Sequence, residues 1–580
     1  MGLSSLTNLP LFTSNHFHFV ADVVDGRELL DSDADRNILK VPFEERINVT
    51  RMELEHLLKD YTKFAMNTIT SFFPEAFPDL KEVEIKHQYS SSFEREVKIH
   101  TGPLVFETES TLDGISKVIT ELIDVACPVV LDKAGKPAPA FPTTFSGDQQ
   151  TEKCARRAQL ALCDNGNMKD RLQFFEGRHE LLHYMFMLSD VVVDCFADAD
   201  NLEEPTSLSR LISMLNPKLS SRKGKDEYYL FRDLFRDIYV ALLSEFTRSH
   251  LGVENLRKDV TPESIRKETN QTVKDAMFTS LFRTIIKTCH AEFEDCMDDV
   301  ADVKPLPEFY PHNKFLRRKY QKDIRGGEAT EEAKELFVSF VSDQDVLKIK
   351  DIPKLAKVMK PDKKNDYICS LISFLGQYLF LIDCQKNGNA LNTYLIQKKL
   401  TKIIHATGHK NYSSTLINFK QVILGHWSPQ YSHRYLWNVS AGRAGKGMKM
   451  PRDQRVEHLN RFLKDSFKSV GVNLDEANAS RINNSSDLSM KIETKIVDFH
   501  ELDDIGKSHT KRDRRKQIDA VSSLFKKEMV AQVVPGRTFK GPNVSKNLYA
   551  QFDEAQYRVW HFKKDKEMNK FSEYCRAFRN

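Results

Sequence analysis

The sequence predicts an α/β domain whose sheet is interrupted by a large all-α insertion, and three observations carry that prediction. Apolar, β-branched runs gather between residues 16 and 147. From about residue 179 to residue 425, apolar residues recur at three- and four-residue spacing, the mark of packed helices. Beyond that stretch a glycine-rich basic loop, SAGRAGKGMKMPRD (440–453), leads into one more helical run, QRVEHLNRFLKDSF (454–467), placed to return to the first half.

The elements follow in order. HFHFVADVVD (16–25) is apolar and closes on acids, as a buried strand does. MELEHLLKDYTKFAMNTITSFF (52–73) and LDGISKVITELIDV (112–125) have helical period, while EVEIKHQYS (82–90), REVKIHTGPLVFETES (95–110) and VACPVVL (125–131) read as strands. DKAGKPAPA (132–140) reads as a loop from its Pro, Gly and Ala content. FPTTFSG then runs into Asp148, and a helix-like run with Arg156 and Arg157 follows at once. SSRKGKDE (220–227) reads as a linker, and the segment after residue 480 as a polar, basic extension containing KRDRRK (511–516).

Composition narrows the field less than the pattern does. Net charge is +4, from 86 basic and 82 acidic residues, so a nucleic-acid partner requires a local patch. Nine cysteines without CxxC spacing read as reduced thiols, which places the chain inside the cell. No apolar run approaches the roughly 18 residues of a membrane span, and no secretion signal is evident at the start.

Three carboxylates stand where chemistry could use them. Asp22 follows one strand, Asp148 follows another, and Glu457 lies inside the later helix. Two acids at strand tips and one on a helix suit a pair of Mg²⁺ or Mn²⁺ ions, which take hard oxygen donors and leave room for water and phosphate. Two such ions about 3.5–4 Å apart activate a nucleophile and neutralise the leaving oxygen in phosphodiester chemistry. The competing reading makes Asp148 a helix cap and nothing more. Arg443, Lys446 and Lys449 in the glycine-rich loop, with Arg461 and Lys464 on the Glu helix, are the candidate phosphate contacts. The loop is not a Walker A motif, since Ser440 and Gly447 stand where that motif needs Gly and Ser or Thr.

HELLH offers a different chemistry. On a helix, His179 and His183 would lie one turn apart and bind Zn²⁺ with Glu180 activating water, and Glu203 or Glu204 supplying a third ligand. Cys154 and Cys163 with the same two histidines would make an unusual zinc knuckle. FLRRKYQKDIR (315–325) and KRDRRK are candidate DNA-binding or nuclear-import patches.

A family resemblance joins several of these pieces. GDQQTEKCARRAQ resembles the GDQ-T-x-x-x-ARGAQ element of domain-of-unknown-function family 6589. FHFVADVVD, KHQYSSSFEREVKIHTGPLVFETESTLDGI and LWNVSAGRAGKGMKMPRDQRVEHLNRFLK resemble its other elements, in the same order, so that the likeness spans roughly residues 16–480. That family looks like a transposase-derived, ribonuclease-H-like domain. The resemblance implies a mixed sheet interrupted by an all-α insertion, with Asp22, Asp148 and Glu457 holding catalytic Mg²⁺ and DNA as substrate. Val23 stands where the family has Asn, and Leu181–Leu182–His183 where it often has Asp-Phe-His. Since the sequence starts almost at its first strand, the expectation is that no DNA-recognition module precedes it, which counts against full transposition activity.

The expected layout is therefore a core over 14–175, a helical insertion over 176–429, a return of the core with the Glu helix over 430–480, and an extension over 481–580. The expected activity is two-metal DNA cleavage or strand transfer. The alternatives are a non-catalytic nucleic-acid- or protein-binding descendant and a zinc peptidase.

Overall fold

The computed structural model describes residues 16–20, 39, 41–91, 99–108, 110–127, 129–131, 135–139, 143–147, 149–198, 202–219, 227–294, 296, 361–427, 429–442, 447–471, 475–499, 514–550 and 554–577. The N-terminal elements are β1 (His16–Val20), α1 (Phe43–Ile47), α2 (Arg51–Phe72), β2 (Ile99–Leu104), α3 (Leu112–Ala126), β3 (Val129–Leu131), β4 (Pro137–Pro139), β5 (Thr143–Gly147), α4 (Gln149–Ala161) and β6 (Phe175–His179). A helical series follows: α5 (Leu181–Phe196), α6 (Leu208–Leu215), α7 (Tyr228–Leu251), α8 (Glu263–Lys267), α9 (Gln271–Cys289), α10 (Lys363–Asn387), α11 (Ala390–Ala406), α12 (Lys410–Gln421) and α13 (Pro429–Trp437). The chain closes with β7 (Ser440–Gly442), β8 (Lys449–Pro451), α14 (Arg452–Val470), α15 (Glu476–Phe499), α16 (Arg515–Lys527) and α17 (Glu554–Ala577).

The fold is mostly helical with few strands, within the α/β class. Among the described residues the strands form four two-stranded ladders and not one mixed sheet. β1 pairs antiparallel with β2, and β5 pairs parallel with β6. The expected strand at 82–90 is absent. A side-chain amide takes its edge instead: Asn67 accepts from Val83 N at 2.8 Å and donates to Val83 O at 2.7 Å. Val125 and Ala126 belong to α3, so the strand expected at 125–131 shrinks to β3. Its partner β4 lies in the stretch read as a loop, where prolines are tolerated because this is an edge strand.

Two main bodies of apolar side chains result among the described residues, beside two small clusters. The smaller lies between α3, α4, β5 and β6 and is built from Ile115, Val118, Leu122, Phe145, Ala155, Ala158, Phe174 and Phe175. The larger fills the helical part. It recruits α2 from the N-terminal region, whose capping box (Thr50 Oγ1 accepting from Glu53 N at 3.3 Å, Glu53 Oε2 from Thr50 N at 2.7 Å) starts a helix with Leu57, Leu58, Tyr61 and Ala65 inward. It also recruits the stretch read as an extension. α16 lies along α7 and inserts Ile518, Val521 and Phe525, and α17 packs on α12.

α10 runs through the middle of the larger body. It reaches a mean hydropathy of 1.5 over a window long enough to cross a membrane, against the sequence expectation. That window is 89% buried inside the protein, the pattern of a core helix. Gly376 sits at its tightest crossing, where a Cβ would fall 1.7 Å from the Tyr61 hydroxyl oxygen.

A buried ionic group ties α1, α12 and α17 together. Arg46 donates to the Asp565 carboxylate, Gln421 Nε2 donates to Asp565 Oδ1 at 2.5 Å, and Lys420 Nζ donates to Arg46 O at 3.4 Å. Burial pushes the Lys420 ammonium down to about 7, with Lys398 adding repulsion and Asp565 opposing. A lysine held below its unfolded value contributes stability that is fully present above the unfolded pKa and lost as pH falls through the folded one. Stability is therefore expected to climb between pH 7 and about pH 10, by roughly 1.4 kcal/mol per unit from this group. Urea titrations at several pH values check this: Lys420→Met should flatten the climb and raise the midpoint at pH 7.

Candidate functional site

The GDQQT stretch is shaped by one close approach. A Cβ on Gly147 would lie 2.6 Å from Thr151 Cγ2, so only glycine lets α4 turn away directly after β5. Thr151 is buried, as are Ala155 and Ala158 on the same helix. Gln159 Nε2 donates to Leu172 O at 3.0 Å and Phe175 O at 2.6 Å, holding α4 against the start of β6. Gly147, Thr151, Ala155, Ala158 and Gln159 of the GDQ-T-x-x-x-ARGAQ pattern thus have packing tasks. Asp148, between β5 and α4, lies outside the described residues, as does Asp22 beyond β1.

β6 pairs with β5 so that His179 stands opposite Gly147, and Glu180 N donates to Gly147 O at 3.1 Å. His179 therefore ends a strand and Glu180 is the N-cap of α5, without a capping bond from its own side chain. This corrects the HELLH reading in one respect: the two histidines do not share a helix, since His179 closes β6 and His183 lies in α5. Glu204, a proposed third ligand, pairs with Lys364 at 2.8 Å, and Glu203 pairs with Lys540 at 2.9 Å. Cys154 is buried with its thiol donating to Ser110 O at 3.4 Å. Among the described residues no three His, Cys, Asp or Glu side chains gather as a metal-binding group.

The cap that α5 lacks comes from far along the chain. Asp453, in the first turn of α14, accepts from Leu182 N at 2.8 Å and from His183 N at 3.2 Å, and lies 3.3 Å from His183 Nδ1. The carboxylate is buried and sits where the exposed N–H groups and dipole of α5 favour a negative charge. One turn further on, Glu457 is exposed and makes no hydrogen bond or ion pair among the described residues. The inner face of α14 buries Leu463 and Phe467 against Phe106 and Ala479. Its outer face carries Glu457, His458 and Arg461, with Lys464 half-buried beside them. α14 also runs against β1, β7 and β8.

The glycine-rich loop proves to be the connection of a hairpin, since β7 and β8 pair antiparallel with Gly442 opposite Lys449. Arg443 and Lys446 lie outside the described residues. Lys449 does not line a surface: it is 2% exposed within β8, and an ammonium so covered cannot touch a phosphate backbone. FLRRKYQKDIR lies outside the described residues, while Arg514 of KRDRRK pairs with Asp233 at 2.7 Å and Asp237 at 3.0 Å. Sequence reasoning missed Asp453, which it took as the last residue of the loop before the Glu helix; the helix in fact begins at Arg452.

Fold and site together define a helix-rich α/β protein in which a strand-tip motif and a late helix are stapled by one buried carboxylate. The chain belongs to the family of unknown function DUF6589, whose model matches residues 42–509. The match takes in Asp148, Asp453 and Glu457 and begins beyond Asp22. No curated protein and no solved structure matches the chain.

Proposed function

We propose that this is a transposase-derived protein with a ribonuclease-H-like core, and that Asp22, Asp148 and Glu457 form a two-metal site acting on DNA phosphodiesters. The observation that carries the reading is the staple between the end of β5 and the start of α14. Gly147 is bonded to Glu180, the residues after Glu180 are capped by Asp453, and Glu457 follows one turn later. Asp148 follows Gly147 directly, and the same helix runs against β1, two residues before Asp22. An antiparallel pair and a parallel pair, the two kinds of ladder a mixed sheet contains, are both present.

The donor chemistry fits Mg²⁺ or Mn²⁺. Glu457 is an exposed, uncommitted carboxylate, whereas Asp453 beside it is spent on backbone N–H groups. Bound metal would supply Lewis-acid activation of a water or 3′-hydroxyl. The chain's own share is to hold the acids at one edge and to present Arg461 and Lys464 to neighbouring phosphates. Incubation of supercoiled DNA with the full chain and Mg²⁺ tests the reading. Glu457→Ala is expected to abolish nicking while shifting stability by no more than about 0.5 kcal/mol, as for other exposed positions. Wild-type protein that binds DNA in a salt-dependent way without ever nicking it would leave a binding protein of the same fold.

A further inference from the structure

We infer that the N-terminal turns of α7, together with Lys386 on α10, form a track for an unpaired nucleic-acid strand beside Glu457. The inference deepens the proposed nucleic-acid reading and supplies a partner class for it. Gln454 Nε2 donates to Tyr229 OH at 3.3 Å, and Gln454 and Glu457 stand three residues apart on one face of α14. Tyr229 is 47% exposed. The Arg232 guanidinium lies over that ring, 5.2 Å from its centre. Arg236 continues the same face one turn on.

Charge accumulates here beyond what the local acids neutralise. Asp233 is shared by Arg232 at 3.1 Å, Arg236 at 3.5 Å and Arg514 at 2.7 Å. Asp237 is taken by Arg514. The exposed Lys386 feels repulsion from both Arg232 and Arg236, against attraction from Asp383 and from the already shared Asp233. Arg236 Nε has no hydrogen-bond partner among the described residues. A flat exposed ring with a guanidinium on one side, followed by under-neutralised cations, matches the combination that holds single strands: base stacking plus a backbone groove. Duplex DNA offers no free base face to Tyr229.

Fluorescence anisotropy of a labelled oligothymidylate, titrated with the full chain, tests this. Tyr229→Ala is expected to weaken binding about tenfold, the size of one lost base stack, and Tyr229→Phe to retain it. Arg236→Ala should make the salt dependence shallower. Affinity unchanged in Tyr229→Ala overturns the inference, as does a preference for duplex that ignores Tyr229. The same preparations separate it from the nuclease reading. Binding that depends on Tyr229 without any nicking sustains the track and removes the nuclease; nicking by a protein whose binding ignores Tyr229 does the reverse.

Discussion

Glu292→Ala is expected to destabilise the protein by about 3–5 kcal/mol, the cost of stranding a buried charge. Glu292 Oε1 lies 3.2 Å from Lys399 Nζ and accepts from Ser373 Oγ and Gln377 Nε2, both at 2.5 Å. His290, fully buried, stands 3.5 Å away and bonds Tyr61 OH at 3.2 Å, which meets Tyr239 OH at 2.9 Å. Burial alone would raise the Glu292 pKa, but Lys399, His290 and Ser373 outweigh it and hold the carboxyl below its usual range. A depressed acid contributes stability present above its unfolded value and lost as pH falls, so the wild type should weaken in acid more than Glu292→Gln does. Urea unfolding gives the numbers, and Glu292→Gln with Lys399→Met should recover most of the loss because no ammonium is left buried alone. A single-variant cost under about 1 kcal/mol would show that water reaches the group.

Asp453→Ala is expected to cost about 3 kcal/mol, because it leaves the buried N–H groups of Leu182 and His183 without an acceptor. Hydrogen exchange localises the effect: the amides at the start of α5 and of α14 should exchange faster, while those of α9 and α16 stay protected. Asp453→Asn keeps an acceptor oxygen and should lose less than half as much. Glu457→Ala, one turn away, should leave both stability and exchange unchanged. The pair thus separates an acid that builds the site from one proposed to act in it. Equal exchange in Asp453→Ala and wild type would refute the cap.

The helical region was legible because its apolar spacing is sustained over whole helices, as in α7 and α10. Short strands were not. β4 is Pro-Ala-Pro, and β6 (Phe-Glu-Gly-Arg-His) lacks alternation and lends only its last residue, His179, to the HELLH pattern, so a local motif was read across a strand-to-helix boundary. EVEIKHQYS alternates like a strand, yet the Asn67 amide claims the backbone of Val83. Gly147, Thr151 and Gln159 were legible as a motif, and their packing tasks only from the fold. The Asp453 cap spans 271 residues, and no local pattern encodes such a partner. Tyr229 and Arg232 sat inside a run read only for its period.

The contact between Arg46 and Asp565 joins positions 519 residues apart. During synthesis, Arg46 on α1 must wait for 519 further residues to be made before that partner exists. Until α16 emerges, the face of α7 that receives Ile518, Val521 and Phe525 is also open to water. Nascent chains therefore carry an uncovered apolar surface while the residues between α7 and α16 are made, a state that invites chaperones and self-association and makes folding slow.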